Sequence, residues 1–127
     1  MIKLSEWYEF LREDEITPDQ FDLGFLIITL VDNIYNKLYV SSKYEIVTKP
    51  DENNDNDNIL QVIWGSRDRL YFDFEIRKNK EIHWMAIDFS HSDEPMESGI
   101  LDYTNVIIPP NLTALIKAAY GGKNERS

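Results

Sequence analysis

The sequence predicts an α+β domain, with an N-terminal helical pair and a C-terminal helix packed on an antiparallel β-meander of four to five strands. Three observations predict it. The run Thr17-Pro18-Asp19-Gln20 reads as a capping box with proline at the first helical position, just ahead of a long apolar stretch. After Ser41 and Ser42 the apolar period changes from helical to alternating. Residues 69–89 then read as two alternating strands about a short polar turn.

Taken in order, residues 4–14 form the first predicted helix, with Ser5 as its cap and Leu4, Trp7 and Leu11 on one stripe. Glu6, Glu9 and Glu13 fall on a separate, solvent-facing stripe. The second helix runs from Pro18 to about Tyr39, flanked at its start by Ile16 and Phe21 as a hydrophobic staple. Between Phe25 and Val31 it is apolar nearly all round, which predicts contact on more than one side. "KYEIVT" (43–48) is a strand that Pro50 ends, and "DENNDNDN" (51–58) a mobile interstrand loop. As a calcium loop that run fails, because Asn56 stands where the turn glycine belongs and Val62 where a bidentate glutamate belongs.

"ILQVIW" (59–64) is the next strand, and residues 65–68 turn. In "RLYFDFEI" (69–76), Leu70, Phe72, Phe74 and Ile76 face inward and Tyr71, Asp73 and Glu75 outward. A three-residue loop, Lys78 to Lys80, sets Glu75 against His83 and Phe74 against Trp84 in the returning strand 81–89. Residues 91–99 are expected to be an acid-rich loop and "DYTNVII" (102–108) a last edge strand. Pro109 and Pro110 stop that strand, Asn111 caps a helix of about ten residues, and Gly121–Gly122 end it. One domain over 1–122 with a frayed tail, 123–127, follows.

Composition narrows function. The 127 residues are 43% hydrophobic and 13% aromatic, enough for a core without a disulfide or metal. There is no cysteine, so thiolate catalysis and cysteine-based zinc sites are excluded. No stretch suggests a leader or a membrane span, so a cytoplasmic protein with no membrane contact is expected. The net charge of −10 disfavours direct nucleic-acid binding and favours encounter with a basic protein. Residues 1–40 carry eight acids and three bases, 81–127 seven and three, but 41–80 nearly balance at eight and seven.

Motifs for catalysis are weak. There is no glycine-rich phosphate loop, serine elbow or paired-histidine metal helix, and no cofactor is expected. A metal-dependent hydrolase using Glu75, His83, Asp88 and His91 is the third-ranked reading. More informative is the outer face of the 69–89 hairpin. There Tyr71, Met85, Ile87 and Phe89 form an apolar patch bordered by Asp73, Glu75 and His83, which is the anatomy of a protein interface. With Glu6, Glu9, Glu13 and Asp14 on the first helix, and Asp93 and Glu94 in the acidic loop, these are the candidate partner-binding residues.

The block "ILQVIWGSRDRLYFDFEIRKNKEIHW" (59–84) resembles a hairpin pattern of small uncharacterised bacterial and phage proteins. The resemblance covers about a fifth of the chain and implies an α+β fold and a prokaryotic or phage setting, without an activity. Size and charge resemble those of immunity proteins, antitoxins and phage anti-defence proteins. The leading expectation is a non-enzymatic inhibitor of a basic, nucleic-acid-processing protein such as a nuclease. The second is an assembly module that buries the hairpin face in a homodimer.

Overall fold

The computed structural model of the chain describes residues 16–65, 69–89 and 96–124. Within them lie a helix α1 (Pro18–Lys37), five strands, and a second helix α2 (Pro110–Asn124). The strands β1 (Tyr44–Asp51), β2 (Asn54–Gly65), β3 (Leu70–Ile76), β4 (Ile82–Asp88) and β5 (Met96–Leu101) form one sheet in sequence order, every neighbour antiparallel. The predicted helix over 4–14 lies outside the described residues. Among those residues a single helix, not a pair, precedes the sheet.

The start of α1 forms as its sequence demands. The Thr17 hydroxyl accepts from Gln20 N at 3.2 Å, and Gln20 Oε1 accepts from Thr17 N at 3.0 Å. Gln20 is wholly buried and its Nε2 donates to the carbonyls of Asn58 and Ile76, each at 2.9 Å. One side chain therefore caps the helix and ties it to β2 and β3. The helix ends with Tyr39 at φ 57° and Val40 N–H donating to Tyr35 O, a Schellman-type turn made without glycine.

Alternation sorts the sheet into two faces. Leu60, Val62 and Trp64 of β2, Leu70, Phe72, Phe74 and Ile76 of β3, and Ile82, Trp84 and Ala86 of β4 are all buried. They share one core with Ile27, Val31 and Tyr35 of α1 and Leu112 and Ile116 of α2, so both helices cover this inner face. Trp64 stacks on Phe72 with ring centres 5.2 Å apart, and the edge of Phe74 meets Trp64 at 6.0 Å. The β3–β4 register is the predicted one: Glu75 faces His83, Phe74 faces Trp84, and Arg77 N donates to Glu81 O at 2.9 Å across the three-residue turn.

Three expectations are corrected. Residues 51–58 are not a mobile loop: β1 runs through Pro50 to Asp51, and β2 begins at Asn54. The register slips between Pro50↔Asn58 and Asp51↔Asn54, so residues 55–57 are inserted on β2. The last strand is 96–101, not 102–108. Asp102 Oδ1 accepts from Thr104 N at 2.9 Å and from its hydroxyl at 2.8 Å, which makes "DYTN" a turn. Finally, α2 opens at Pro110, with Thr113 N donating to Pro109 O, and continues through Gly121 and Gly122 to Asn124. It thus enters the segment read as a frayed tail. Asn111, expected to cap it, donates instead to Glu97 Oε1 at 2.9 Å.

The two edges of the sheet differ. Antiparallel pairs alternate between residues that exchange both main-chain bonds and residues that exchange none. Arg77–Glu81 and Arg69–Phe89 are bonded pairs, so odd positions of β3 and β4 bond each other and even positions of β4 turn to β5. Carried outward through the registers, this directs Ile46, Thr48 and Pro50 of β1 to one open edge and Met96, Ser98 and Ile100 of β5 to the other. Pro50 is tolerated because its missing N–H would have faced outward.

Candidate functional site

The candidate site is the outer face of the sheet, opposite both helices. Cross-strand register brings Tyr71 against Ile87, Asp73 against Met85 and Glu75 against His83, so six of the candidate residues share this face. Phe89, just beyond β4, is 45% exposed. The C-terminal helix packs on the other side and leaves the face uncovered among the described residues. Glu6, Glu9, Glu13, Asp14, Asp93 and Glu94 lie outside the described residues.

The face has two halves. Toward the β3–β4 turn it is ionic. Lys49 Nζ lies 2.6 Å from Glu75 Oε2, and Arg77 Nη1 lies 2.8 Å from Asp51 Oδ1. The Asp51 side chain is only 4% exposed, and its Oδ1 accepts from Asn53 N at 2.9 Å as well as meeting that guanidinium. Arg77 Nε is buried with no hydrogen-bond partner among the described residues, although Glu81 Oε1 stands 4.0 Å away. Glu81 also pairs with His83 Nε2. A polar recess of about 250 Å³ opens here, lined by Lys49, Glu52, Asn53, Glu75 and Arg77 among others.

Toward the opposite end the face becomes aromatic and aliphatic. At its centre Asp73 is buried, and its Oδ2 accepts from the Tyr71 hydroxyl at 2.8 Å and from Gln61 Nε2 at 3.1 Å. Burial pushes the Asp73 carboxyl above the ordinary aspartate range, and the two donors pull the other way. The Tyr71 phenol is pushed well up by its own burial, then by its bond to Asp73. Tyr71, Met85 and Ile87 stay half-buried around this triad.

Catalytic readings gain little from this geometry. Asp88 has the parity of Trp84 and Ala86 and pairs with Leu70, so it lies on the helix-covered side, away from His83. His91 lies outside the described residues. The cross-strand neighbours Glu75 and His83 each take another partner, Lys49 and Glu81. Among the described residues no three histidine, aspartate or glutamate side chains come together as metal ligands. A second recess of about 360 Å³ is walled by Tyr35, Val40, Ser41, Lys43, Gly65 and Tyr120. Burial and the neighbouring Tyr120 push the Tyr35 phenol up, which suits a structural hydroxyl and not an acid or base at neutral pH.

No family model matches the chain, and neither a curated protein nor a solved structure matches it. The outer face therefore has to be read from its own chemistry. Sequence reasoning missed Lys49, Asp51 and Gln61, which complete the ionic half and hold Asp73. Gln61 lay in an expected strand, but Lys49 fell past the strand read as 43–48 and Asp51 in the run read as a loop, and no sequence signal aligned β1 and β2 with the hairpin. No helix among the described residues is long and apolar enough to cross a membrane.

Proposed function

We propose that this chain is a small acidic binding protein, not an enzyme, that inhibits or sequesters a basic, nucleic-acid-processing protein of the kind met by immunity proteins, antitoxins or phage anti-defence proteins. One observation carries the reading: a sheet face, left uncovered among the described residues, on which Tyr71, Met85, Ile87 and Phe89 adjoin Asp73 and Glu75, in a chain of net charge −10. Acidic groups, including Glu6, Glu9, Glu13, Asp14, Asp93 and Glu94, supply the long-range field that speeds encounter with a basic surface. The aromatic and aliphatic centre supplies the short-range affinity. Carboxylates then occupy the places that phosphates take in the partner's groove.

The test is affinity capture from the native host with the wild-type chain and an Ile87→Lys variant, each at low and high salt. The expected outcome is a basic partner whose binding weakens with salt, and about tenfold or more with Ile87→Lys. Binding indifferent to both would sink the proposal. A homodimer through the same patch is the second reading, favoured by the open aromatic–aliphatic surface alone. Sedimentation at several concentrations separates the two, since a constant monomer mass removes the dimer.

A further inference from the structure

We infer that the open edge of β5 is a strand-addition site, taking an extended, lysine- or arginine-bearing segment of the partner protein as a sixth strand. The inference rests on the basic-partner reading and specifies how that partner is held. It starts from the difference between the two edges. The β1 edge is blunted: Pro50 offers no N–H, the register slips beside it, Lys43 precedes the strand and Lys49 lies within it. The β5 edge has none of these devices. Its strand, Met96–Leu101, holds no lysine, arginine or proline and pairs with β4 without a slip.

The register turns the main-chain groups of Met96, Ser98 and Ile100 outward. Among the described residues, Ser98 and Ile100 have no main-chain partner on that side. Ser98 is exposed and Ile100 is 62% exposed, so the edge is accessible. Gly99 keeps the strand close to β4, because a Cβ there would stand 2.8 Å from Trp84 Nε1. An extended peptide could make the same alternating N–H to carbonyl bonds that β4 makes on the other side.

Charge decides the kind of strand. Residues 81–116 contain six acids and no lysine or arginine, whereas 41–80, which supply β1 to β3, contain seven bases. Along the sequence, charge therefore runs from balanced over β1 to β3 to acids alone over β4 and β5. Glu97 is the one charged residue of β5 itself, and Lys80, in the β3–β4 turn, lies over Tyr103 just past its end. Self-pairing would join two acidic edges, while a basic strand would be complementary.

The probe is a capped peptide alternating lysine and valine, followed by main-chain amide hydrogen exchange. At about ten times its Kd it should slow exchange at Ser98 and Ile100 about tenfold and leave Ile46 and Thr48 of β1 unchanged. A control with the same lysines but proline in place of valine should not bind. Ser98→Pro removes an outward N–H and should abolish protection. Ile100→Lys, at an exposed position that cannot unfold the core, should weaken binding through charge. Equal binding of the proline control, protection of β1 as well, no binding at all, or indifference to both variants would each overturn the inference. So would a dimer of the chain alone that Ser98→Pro converts to monomer, since the occupant would then be a second copy. The two readings fail differently. If no salt-sensitive partner is captured, the basic-partner reading falls; if one is captured equally well by the Ser98→Pro and Ile100→Lys chains, only the edge falls.

Discussion

Gln20 shows how one residue can hold two jobs that its sequence position reveals only in part. The spacing Thr17–Gln20 predicts the capping box, and the box is present. The same side chain sends its Nε2 to Asn58 O and Ile76 O in a site with no solvent exposure. Gln20→Ala would take one donor from each of two carbonyls as well as the helix's box. A loss of about 2–4 kcal/mol in urea unfolding is expected, well above the effect of a cap alone. Asp73 makes a pH prediction. Its folded-state carboxyl holds a proton more tightly than the unfolded chain does, because burial raises it. This group therefore weakens the fold above that raised value and ceases to do so as pH falls below the ordinary aspartate range, near pH 3.9. Relative to Asp73→Asn, the wild type should gain stability between neutral pH and about pH 3.5. Urea titrations of both proteins check the sign, and a relative loss would show that Tyr71 and Gln61 outweigh burial.

At the scale of elements, hairpins with opposite transparency stand side by side. The β3–β4 hairpin was legible because its inward residues are large and apolar and its loop is short. Only one register pairs Phe74 with Trp84 and Glu75 with His83. The β1–β2 hairpin was not, because eight polar residues in a row carry no period. Its structure comes from outside: Asp51 is held by Arg77 of the neighbouring hairpin, and Lys78 Nζ reaches Asp57 Oδ1 at 3.3 Å. Arg77→Met should cost about 3 kcal/mol, because it takes the guanidinium from the buried Asp51 carboxylate and leaves it the main-chain donor Asn53 N at 2.9 Å. Adding Asp51→Asn should recover part of that loss, and a double-mutant cycle measures the coupling. β5 was hidden for a related reason. Glu97, Ser98 and Gly99 have poor strand propensity, and the close approach of Trp84 is what selects the glycine.

For the whole molecule, charge and shape divide the labour. Net charge is a sum over residues, so the −10 and its scarcity of bases after Lys80 could be read before any folding was considered. The alternation in 69–89 likewise placed Tyr71, Asp73, Glu75, His83, Met85 and Ile87 on one face. Local pattern thus determined the α+β class, the capping box, the β3–β4 register and the composition of the candidate face, since each depends on neighbours a few residues apart. Only tertiary structure decided which face the helices cover, where the ionic lattice of Lys49, Asp51, Glu75 and Arg77 assembles, and which main-chain groups of β1 and β5 turn to the two edges of the sheet. Those outcomes join residues about 25 to 100 positions apart, and long-range registry is set by packing of the whole core rather than by any local period.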